Sequence, residues 1–237
     1  MTIGAVDNEV SSDRFNEECA VFGVYAPDQN AHLLTALGLH ALQHRGQEAT
    51  GMVSYNGTEF SALRGFGHVG ENFDAASVDM TSVAGHLTIG HNRYSTTGQS
   101  EFRNIQPFLT ELSSGEFALA HNGNLINAER LRKSLVASGS LFQSTTDTEI
   151  IIHLVARSRR EAPLDRLTEA LMQIEGAYAL VCAFDNKLVG VRDPLGIRPL
   201  VLGRIDGGYV LSSETCGLDI IGAEFVRDIK AGEMVVI

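Results

Sequence analysis

One cysteine in this sequence stands where it could act as a nucleophile. Cys19 follows eighteen largely polar, acidic residues and opens an apolar run, Cys19 to Ala26, that is typical of a strand. Cleavage after Glu18 would put the thiol and a free α-amine on the same residue, and an α-amine with its ordinary pKa of about 7.7–8.0 can act as a base near neutral pH. A nucleophile with its own N-terminal amine as base suits acyl transfer. The alternative is that Cys19 is a small buried strand residue, as many free cysteines are.

The Asn122-Gly123 pair could stabilise the negative charge that acyl transfer develops. Asn-Gly usually marks a hairpin turn, but a helix, and not a return strand, is expected after residues 124–127. We expect a strand to end at His121, which would expose the carboxamide of Asn122 and the backbone N–H of Gly123 as two donors for an oxyanion. The dipeptide alone leaves both interpretations open.

Two charged residues could recognise the ends of an amino acid. Arg93 lies at the end of an expected strand, where its planar fork could hold a carboxylate or could be an ordinary surface charge. Asp147 lies in the first turn of an expected helix, where it stabilises the helix dipole and could also face an ammonium group. Taken singly, each residue is explained as a structural charge.

Two other motifs do not have the surroundings that their chemistry requires. The glycine-rich stretch Gly65–Gly70 follows what looks like the second arm of a hairpin, and residues 82–92 contain no acidic residue to bind a ribose. His40 and His44 have the spacing of two zinc ligands, but Ala41 replaces the glutamate of the metalloprotease pattern and spacing shows no third ligand. We therefore expect neither a dinucleotide site nor a metal site.

Composition and charge exclude several classes of protein. With 237 residues, 44% hydrophobic and 20% charged, the chain has the composition of an ordinary globular protein. A net charge of −11 argues against nucleic acid or an anionic membrane as the main partner. Three scattered cysteines indicate a reducing compartment, and we expect a cytoplasmic protein. Residues 1–18 lack the apolar segment of a signal peptide and are interpreted as a leader.

Periodicity and turn residues predict an α+β fold. Strands come in groups linked by hairpins, with helices bunched between them, which favours antiparallel sheets with segregated helices. A capping box, Thr146 to Glu149, is expected to open one helix. Helices are expected near residues 31–44, 72–80, 127–137, 163–175 and 216–221, and one more opens at 146 with apolar positions as far as 155. Strands are expected at 19–26, 50–55, 58–63, 86–94, 108–112, 116–121, 177–184, 187–191, 200–205, 209–212 and 233–237.

Together, these residues resemble the class II (N-terminal-nucleophile) glutamine amidotransferases, and within that class the glutaminase half of the amidophosphoribosyltransferases, which open purine synthesis. The likeness covers residues 16–237. Its motifs are NEECAVFG (16–23), LQHRGQE (42–48), GHNRYST (90–96), AHNGNL (120–125), TDTE (146–149), DPLGIRPL (193–200) and SETC (213–216). The alternatives are another class II member, such as glucosamine-6-phosphate synthase, and a non-catalytic module with the same fold and an uncut leader.

The resemblance implies a role for each matching residue. Cys19 would be the nucleophile, freed when residues 1–18 are removed from a domain spanning 19–237. Asn122 and Gly123 would form the oxyanion hole. Arg93 would bind the α-carboxylate of L-glutamine, and Asp147 would bind its α-ammonium group.

Two further residues are implied in substrate binding: Thr96 would assist, and Arg45 would support the loop that carries the nucleophile. The fold implied is a four-layer αββα sandwich. The partner implied is a C-terminal phosphoribosyltransferase domain, which this chain does not contain, in a full-length homo-oligomer. No cofactor is expected in this chain; Mg²⁺ and an iron–sulfur cluster are expected only with the transferase half.

Overall fold

Two antiparallel sheets form the centre of the computed structural model, which describes residues 19–74, 78–94 and 101–237. The first sheet has the strand order β11-β9-β10-β1-β4-β2-β3, and the second has the order β12-β8-β7-β6-β5. The strands are β1 (Ala20–Tyr25), β2 (Ala49–Tyr55), β3 (Phe60–Phe66), β4 (Leu87–Arg93), β5 (Phe108–Leu112), β6 (Gly115–Leu125), β7 (Gly176–Phe184), β8 (Lys187–Arg192), β9 (Val201–Ile205), β10 (Gly208–Ser212), β11 (Glu224–Asp228) and β12 (Met234–Val236).

Helices cover the outer face of each sheet. Those on the first sheet include α1 and α6, and those on the second include α4 and α5. None of the helices in the described part of the chain has the length and apolar character that a membrane span requires. The helices are α1 (Ala31–Ala41), α2 (Val69–Asn72), α3 (Ala128–Ala137), α4 (Thr148–Arg157), α5 (Pro163–Leu171) and α6 (Cys216–Asp219).

Alternating side chains of β1 and β6 divide the interior into three apolar layers. In β1, Phe22 contributes to the layer under α1, whereas Val21 contributes to the layer between the sheets. In β6, Leu119 contributes to the layer under α4 and α5, whereas Ala120 faces the other sheet. This alternation follows from the two-residue period of a strand. The predicted α+β fold and its four-layer αββα arrangement are confirmed.

Strand β1 is held tightly from both sides. A Cβ atom added at Gly23 would lie 2.7 Å from Cγ1 of Val181 in the opposite sheet. One added at Gly38 of α1 would lie 2.2 Å from the ring of Phe22. Interiors packed this closely resist displacement. The residue that precedes β1, Cys19, is therefore anchored to a rigid strand.

Four expected elements differ in the structure. Helix α1 ends at Ala41, and a separate 3-10 turn, Gln43–Arg45, follows it. The helix expected near 72–80 differs in the described residues, where α2 occupies Val69–Asn72 and a 3-10 turn occupies Met80–Val83; residues 75–77 of that stretch lie outside the described residues. Strand β6 continues past His121 because its pairing with β7 extends the ladder as far as Leu125. The edge strand β11 was not expected, since its residues face solvent and lack the alternation of a half-buried strand.

Candidate active site

Cys19 lies immediately before β1, at the edge of a surface cleft. Pairing of β1 with β4 puts Ala20 opposite Asn92, and this brings Cys19 beside the residues that follow β4. The backbone N–H of Tyr94 donates to Sγ of Cys19 at 3.4 Å, and Sγ lies 3.6 Å from the Tyr94 carbonyl. The side chain is half-buried, unlike that of the fully buried Cys182, and it lines the cleft. The position therefore leaves the sulfur accessible to a ligand in the cleft.

The backbone of Cys19 has an uncommon conformation. Its φ of 65° lies in the left-handed region, which non-glycine residues seldom adopt. Its backbone nitrogen donates to the carbonyl of Arg45 at 2.9 Å. Local strain of this kind persists only where surrounding contacts enforce it.

Arg45 provides one of those contacts. Its guanidinium is 2% exposed, and Nε donates to the Cys19 carbonyl at 2.8 Å, while Nη1 donates to Glu214. Arg45 therefore binds the nucleophile's main chain from behind and is not among the residues that line the cleft. This placement favours the predicted support of the nucleophile loop over direct contact with a substrate.

The cleft brings together residues that are distant in sequence. Its volume is about 390 Å³, and Cys19, Arg93, Gly123 and Asp147 all line it. A volume of this size can take a small ligand. Thr96, the other predicted substrate-binding residue, lies outside the described residues.

Arg93 is held in place by two neighbours. Its Nη1 donates to the Asn104 carbonyl at 2.8 Å, and its Nε lies 3.5 Å from Oε1 of Glu48. Asn104 in turn exchanges two side-chain hydrogen bonds with Thr145, at the opposite wall of the cleft. The guanidinium is thus positioned at the cleft and is not an unconstrained surface charge.

Asp147 is directed at β6 and not at its own helix. It is the N-cap residue of α4, yet its side chain makes no capping hydrogen bond. Instead Oδ2 accepts from the backbone N–H of Leu125 at 2.8 Å, and Oδ1 lies 3.6 Å from Nδ1 of His121.

The predicted capping box is wrong, because Glu149 accepts from the backbone N–H groups of Gln143 and Ser144.

Asn122 and Gly123 lie within β6 and not beyond its end. Asn122 pairs with Ala179 of β7 and is fully buried, so the expectation that its carboxamide is exposed at a strand end is wrong. Neither Oδ1 nor Nδ2 of Asn122 has a hydrogen-bond partner among the described residues. Gly123 has a φ of 148°, and a Cβ atom there would lie 2.1 Å from the Ala177 carbonyl oxygen, so this position requires glycine. A buried carboxamide without a partner in the protein calls for a water molecule or a ligand beside it. Gly123 lines the cleft, whereas Asn122 is not among its lining residues.

Two buried histidines line the cleft and were missed from the sequence. Burial, together with the charge of Arg93, lowers the pKa of His91 to about 3. Burial also lowers the pKa of His121, although Asp147 opposes this shift. The neutral His91 donates from Nε2 to the His121 carbonyl at 3.1 Å. Both therefore line the cleft as uncharged groups. The sequence signal that could have identified them is their position in the GHNRYST and AHNGNL motifs.

Comparison with known proteins identifies relatives along the whole chain. A family model described as glutamine amidotransferase domain matches residues 91–219, more than half of the chain. An amidophosphoribosyltransferase of Rhizobium etli is 48% identical over 97% of this chain and 46% of its own length. Amidophosphoribosyltransferase 3 of Arabidopsis thaliana, a chloroplast protein, is 42% identical over 98% of this chain and 43% of its own length.

A solved structure has the same fold, and this chain again matches about half of its length. Glutamine phosphoribosylpyrophosphate amidotransferase from B. subtilis, in complex with ADP and GMP, superposes with a TM-score of 0.86 at 40% identity, over 92% of this chain and 47% of its own. The chain thus spans just under half the length of these relatives. Since the family model covers most of the cleft and the fold agrees, the chain belongs to the glutamine amidotransferase domain family.

Proposed function

We propose that this chain is the glutaminase half of an amidophosphoribosyltransferase. It hydrolyses glutamine through a thioester on Cys19 and supplies ammonia for the synthesis of 5-phosphoribosylamine, the first step of purine synthesis. The observation that carries the proposal is the single cleft shared by Cys19, Arg93, Gly123 and Asp147. The names of the relatives support the choice of transferase.

The two charged residues of the cleft suit the α-carboxylate and the α-ammonium group of a free amino acid. The guanidinium of Arg93 can form two parallel hydrogen bonds to the α-carboxylate of glutamine. The carboxylate of Asp147, fixed by Leu125, can accept from the α-ammonium group. When both charged groups of the α-carbon are held, the side-chain amide can extend towards Cys19. The substrate is then oriented before any bond changes.

The reaction then proceeds in two acyl transfers with balanced protons. The α-amine of Cys19 takes the thiol proton as sulfur attacks the amide carbon, and Asn122 and Gly123 donate to the oxyanion. The carbonyl of Arg45 accepts from the backbone N–H of Cys19 in the uncut chain at 2.9 Å. After cleavage the same carbonyl can accept one N–H of the amine, which leaves the nitrogen lone pair for the proton. The amine passes this proton to the amide nitrogen, which leaves as ammonia as the thioester forms. A water molecule then attacks the thioester, gives up a proton through the amine to the departing sulfur, and releases glutamate with the thiol restored.

Removal of the leader is part of the proposal. Cleavage between Glu18 and Cys19 creates the α-amine that the mechanism requires. It also removes the peptide bond that defines the left-handed φ of Cys19, and backbone strain of this kind costs on the order of 1–3 kcal/mol. Strain at the scissile peptide and a thiol on the same residue together favour self-cleavage.

The transferase half would supply the acceptor for ammonia. A full-length homo-oligomer in the cytoplasm, with Mg²⁺ at the transferase site, remains our prediction. The cysteines of this chain do not fit an iron–sulfur cluster: Cys182 is buried beneath the helices of the second sheet, whereas Cys216 packs on the outer side of the first sheet. Any such cluster would take its ligands from the other half.

The alternatives make different predictions for the purified chain. A glutaminase domain of another class II enzyme would hydrolyse glutamine equally well but would pair with a different acceptor domain. A non-catalytic module would retain residues 1–18 and release no glutamate.

We expect the purified chain to begin at Cys19 by intact mass and to release glutamate and ammonia from glutamine in equal amounts. A variant with Pro at Glu18, E18P, alters the scissile bond and is the control for processing. A chain that keeps its leader and releases no glutamate would contradict the proposed function in favour of the module.

Arg93→Lys should raise the KM for glutamine about tenfold to hundredfold with a smaller change in kcat. An ammonium group cannot reproduce two parallel hydrogen bonds to a carboxylate, and losing such a charge-assisted bond costs about 1.5–3 kcal/mol. Steady-state kinetics with glutamine measure both constants. Arg103→Lys is the matched control, since Arg103 is exposed and pairs only with Glu101 in the contacts described. An unchanged KM in Arg93→Lys would contradict the carboxylate role.

A further inference from the structure

A second cluster of reactive side chains lies behind Arg45, away from the cleft. It consists of His44, Glu214 and Cys216, here called the HEC cluster. One ligand atom from each, the imidazole nitrogen, a carboxylate oxygen and the sulfur, lie within 4.8 Å of one another. His44 and Cys216 are far apart in sequence, so ligand spacing could not reveal the cluster.

The two separations from Glu214 to the other members of the HEC cluster are close to those around a tetrahedral zinc ion. Nε2 of His44 is 3.1 Å from Oε2 of Glu214, and Sγ of Cys216 is 3.6 Å from the same oxygen. Zinc bonds of about 2.0–2.1 Å to nitrogen, 2.0–2.2 Å to oxygen and 2.3 Å to sulfur, at tetrahedral angles, put nitrogen and oxygen about 3.3 Å apart and sulfur and oxygen about 3.6 Å apart. The side chains therefore need little movement to share one ion.

The imidazole of His44 is already oriented as a ligand. Its Nδ1 donates to the Ala41 carbonyl at 3.1 Å, which directs Nε2 at Glu214. A metal-binding histidine commonly fixes its other nitrogen in this way, on a backbone carbonyl. Glu214 is oriented too, because its second oxygen accepts from Arg45 while Oε2 faces the cluster.

We propose that His44, Glu214 and Cys216 bind a zinc ion, with water in the fourth position. Nitrogen, oxygen and thiolate ligands together suit this borderline ion better than Mg²⁺ or Ca²⁺. Binding replaces the thiol proton of Cys216 by the metal and releases that proton to solvent. Burial and the neighbouring Glu214 raise the pKa of the Cys216 thiol, so the metal has to compensate for its ionisation.

The ion would fasten two segments that position the nucleophile. His44 belongs to the 3-10 turn that ends at Arg45, and Glu214 and Cys216 follow β10. Because Oε1 of Glu214 stays with Arg45, the metal leaves the contact from Arg45 to Cys19 in place. The proposed role of the ion is to hold these segments together, and the binding of metal can be tested without reference to the proposed function.

Cobalt titration of the metal-free chain tests the site directly. Cobalt replaces zinc at such sites and shows a thiolate-to-cobalt absorption band when a cysteine is a ligand. The titration uses the full chain carrying Cys19→Ala, which removes the other half-buried thiol as a competitor. We expect one equivalent of cobalt to bind with this band, zinc to displace it, and zinc to raise the Tm, because an ion that binds only the folded state stabilises it.

Matched variants assign the ligands. In the same background, Cys216→Ser should abolish the band, and His44→Ala should weaken cobalt binding at least tenfold. His40→Ala, at an exposed histidine of α1, the helix that precedes the turn of His44, should leave both unchanged. Circular dichroism and the metal-free Tm establish that each variant is folded. Absence of the band at saturating cobalt, or its survival in Cys216→Ser, would overturn the proposal.

Discussion

Cys19→Ala is expected to abolish glutamine hydrolysis, with a loss on the order of 10⁶-fold, the scale seen when a catalytic nucleophile is removed. Cys19 carries the one thiol among the described lining residues, and the hydroxyls of Thr145, Thr146 and Thr148 are weaker nucleophiles than a cysteine. Glutamate release under saturating glutamine measures the effect. The folded structure should persist, since Cys19 precedes β1 and the strand itself is unchanged.

Cys182→Ala is the matched control for removal of a thiol. Cys182 is fully buried in β7, and burial raises the pKa of its thiol far above the usual range, so it takes no part in nucleophilic chemistry. We expect this variant to lose stability by cavity formation and to keep its kcat. Glutaminase activity retained in Cys19→Ala, or lost in a folded Cys182→Ala, would exclude the proposed nucleophile.

Much of the fold could be predicted because many strands pair with their neighbours in the sequence and their apolar and polar residues alternate regularly. The hairpin of β2 and β3 was expected from Asn56-Gly57, and the structure joins the two strands there. What the sequence could not show is the meeting of distant elements. Cys19 reaches Arg93 only because β1 pairs with β4, and Asp147 reaches β6 only because α4 begins beside it.

Two local signals failed for the same physical reason. Asn122-Gly123 predicted the end of a strand, but nine paired residues of β7 extend β6 through it. The capping box predicted a bond from Glu149 to its own helix, but that carboxylate instead binds the chain at Gln143 and Ser144. In both places a longer-range contact replaced the local one. Both places adjoin the cleft, where such exceptions to local rules are expected.

Asn122→Ala should lower kcat by roughly 10²–10³-fold, the usual effect of losing one oxyanion donor, with KM for glutamine nearly unchanged. In the proposed mechanism the carboxamide donates to the substrate oxygen only when negative charge develops on it. Both polar atoms of the side chain have no partner among the described residues, so the substitution leaves no neighbouring group unsatisfied. Stability should therefore change little, and Tm measurement checks this.

Asn186→Ala is the matched control, because this exposed asparagine follows β7 at the end remote from the strand's contact with Asn122. It should retain the full kcat. The two kinetic constants distinguish the possible roles of Asn122: a donor to the transition state affects kcat and kcat/KM equally, whereas a ground-state contact raises KM alone. A rise in KM with unchanged kcat would mean that Asn122 binds glutamine before reaction, and the oxyanion would then depend on Gly123 and another donor.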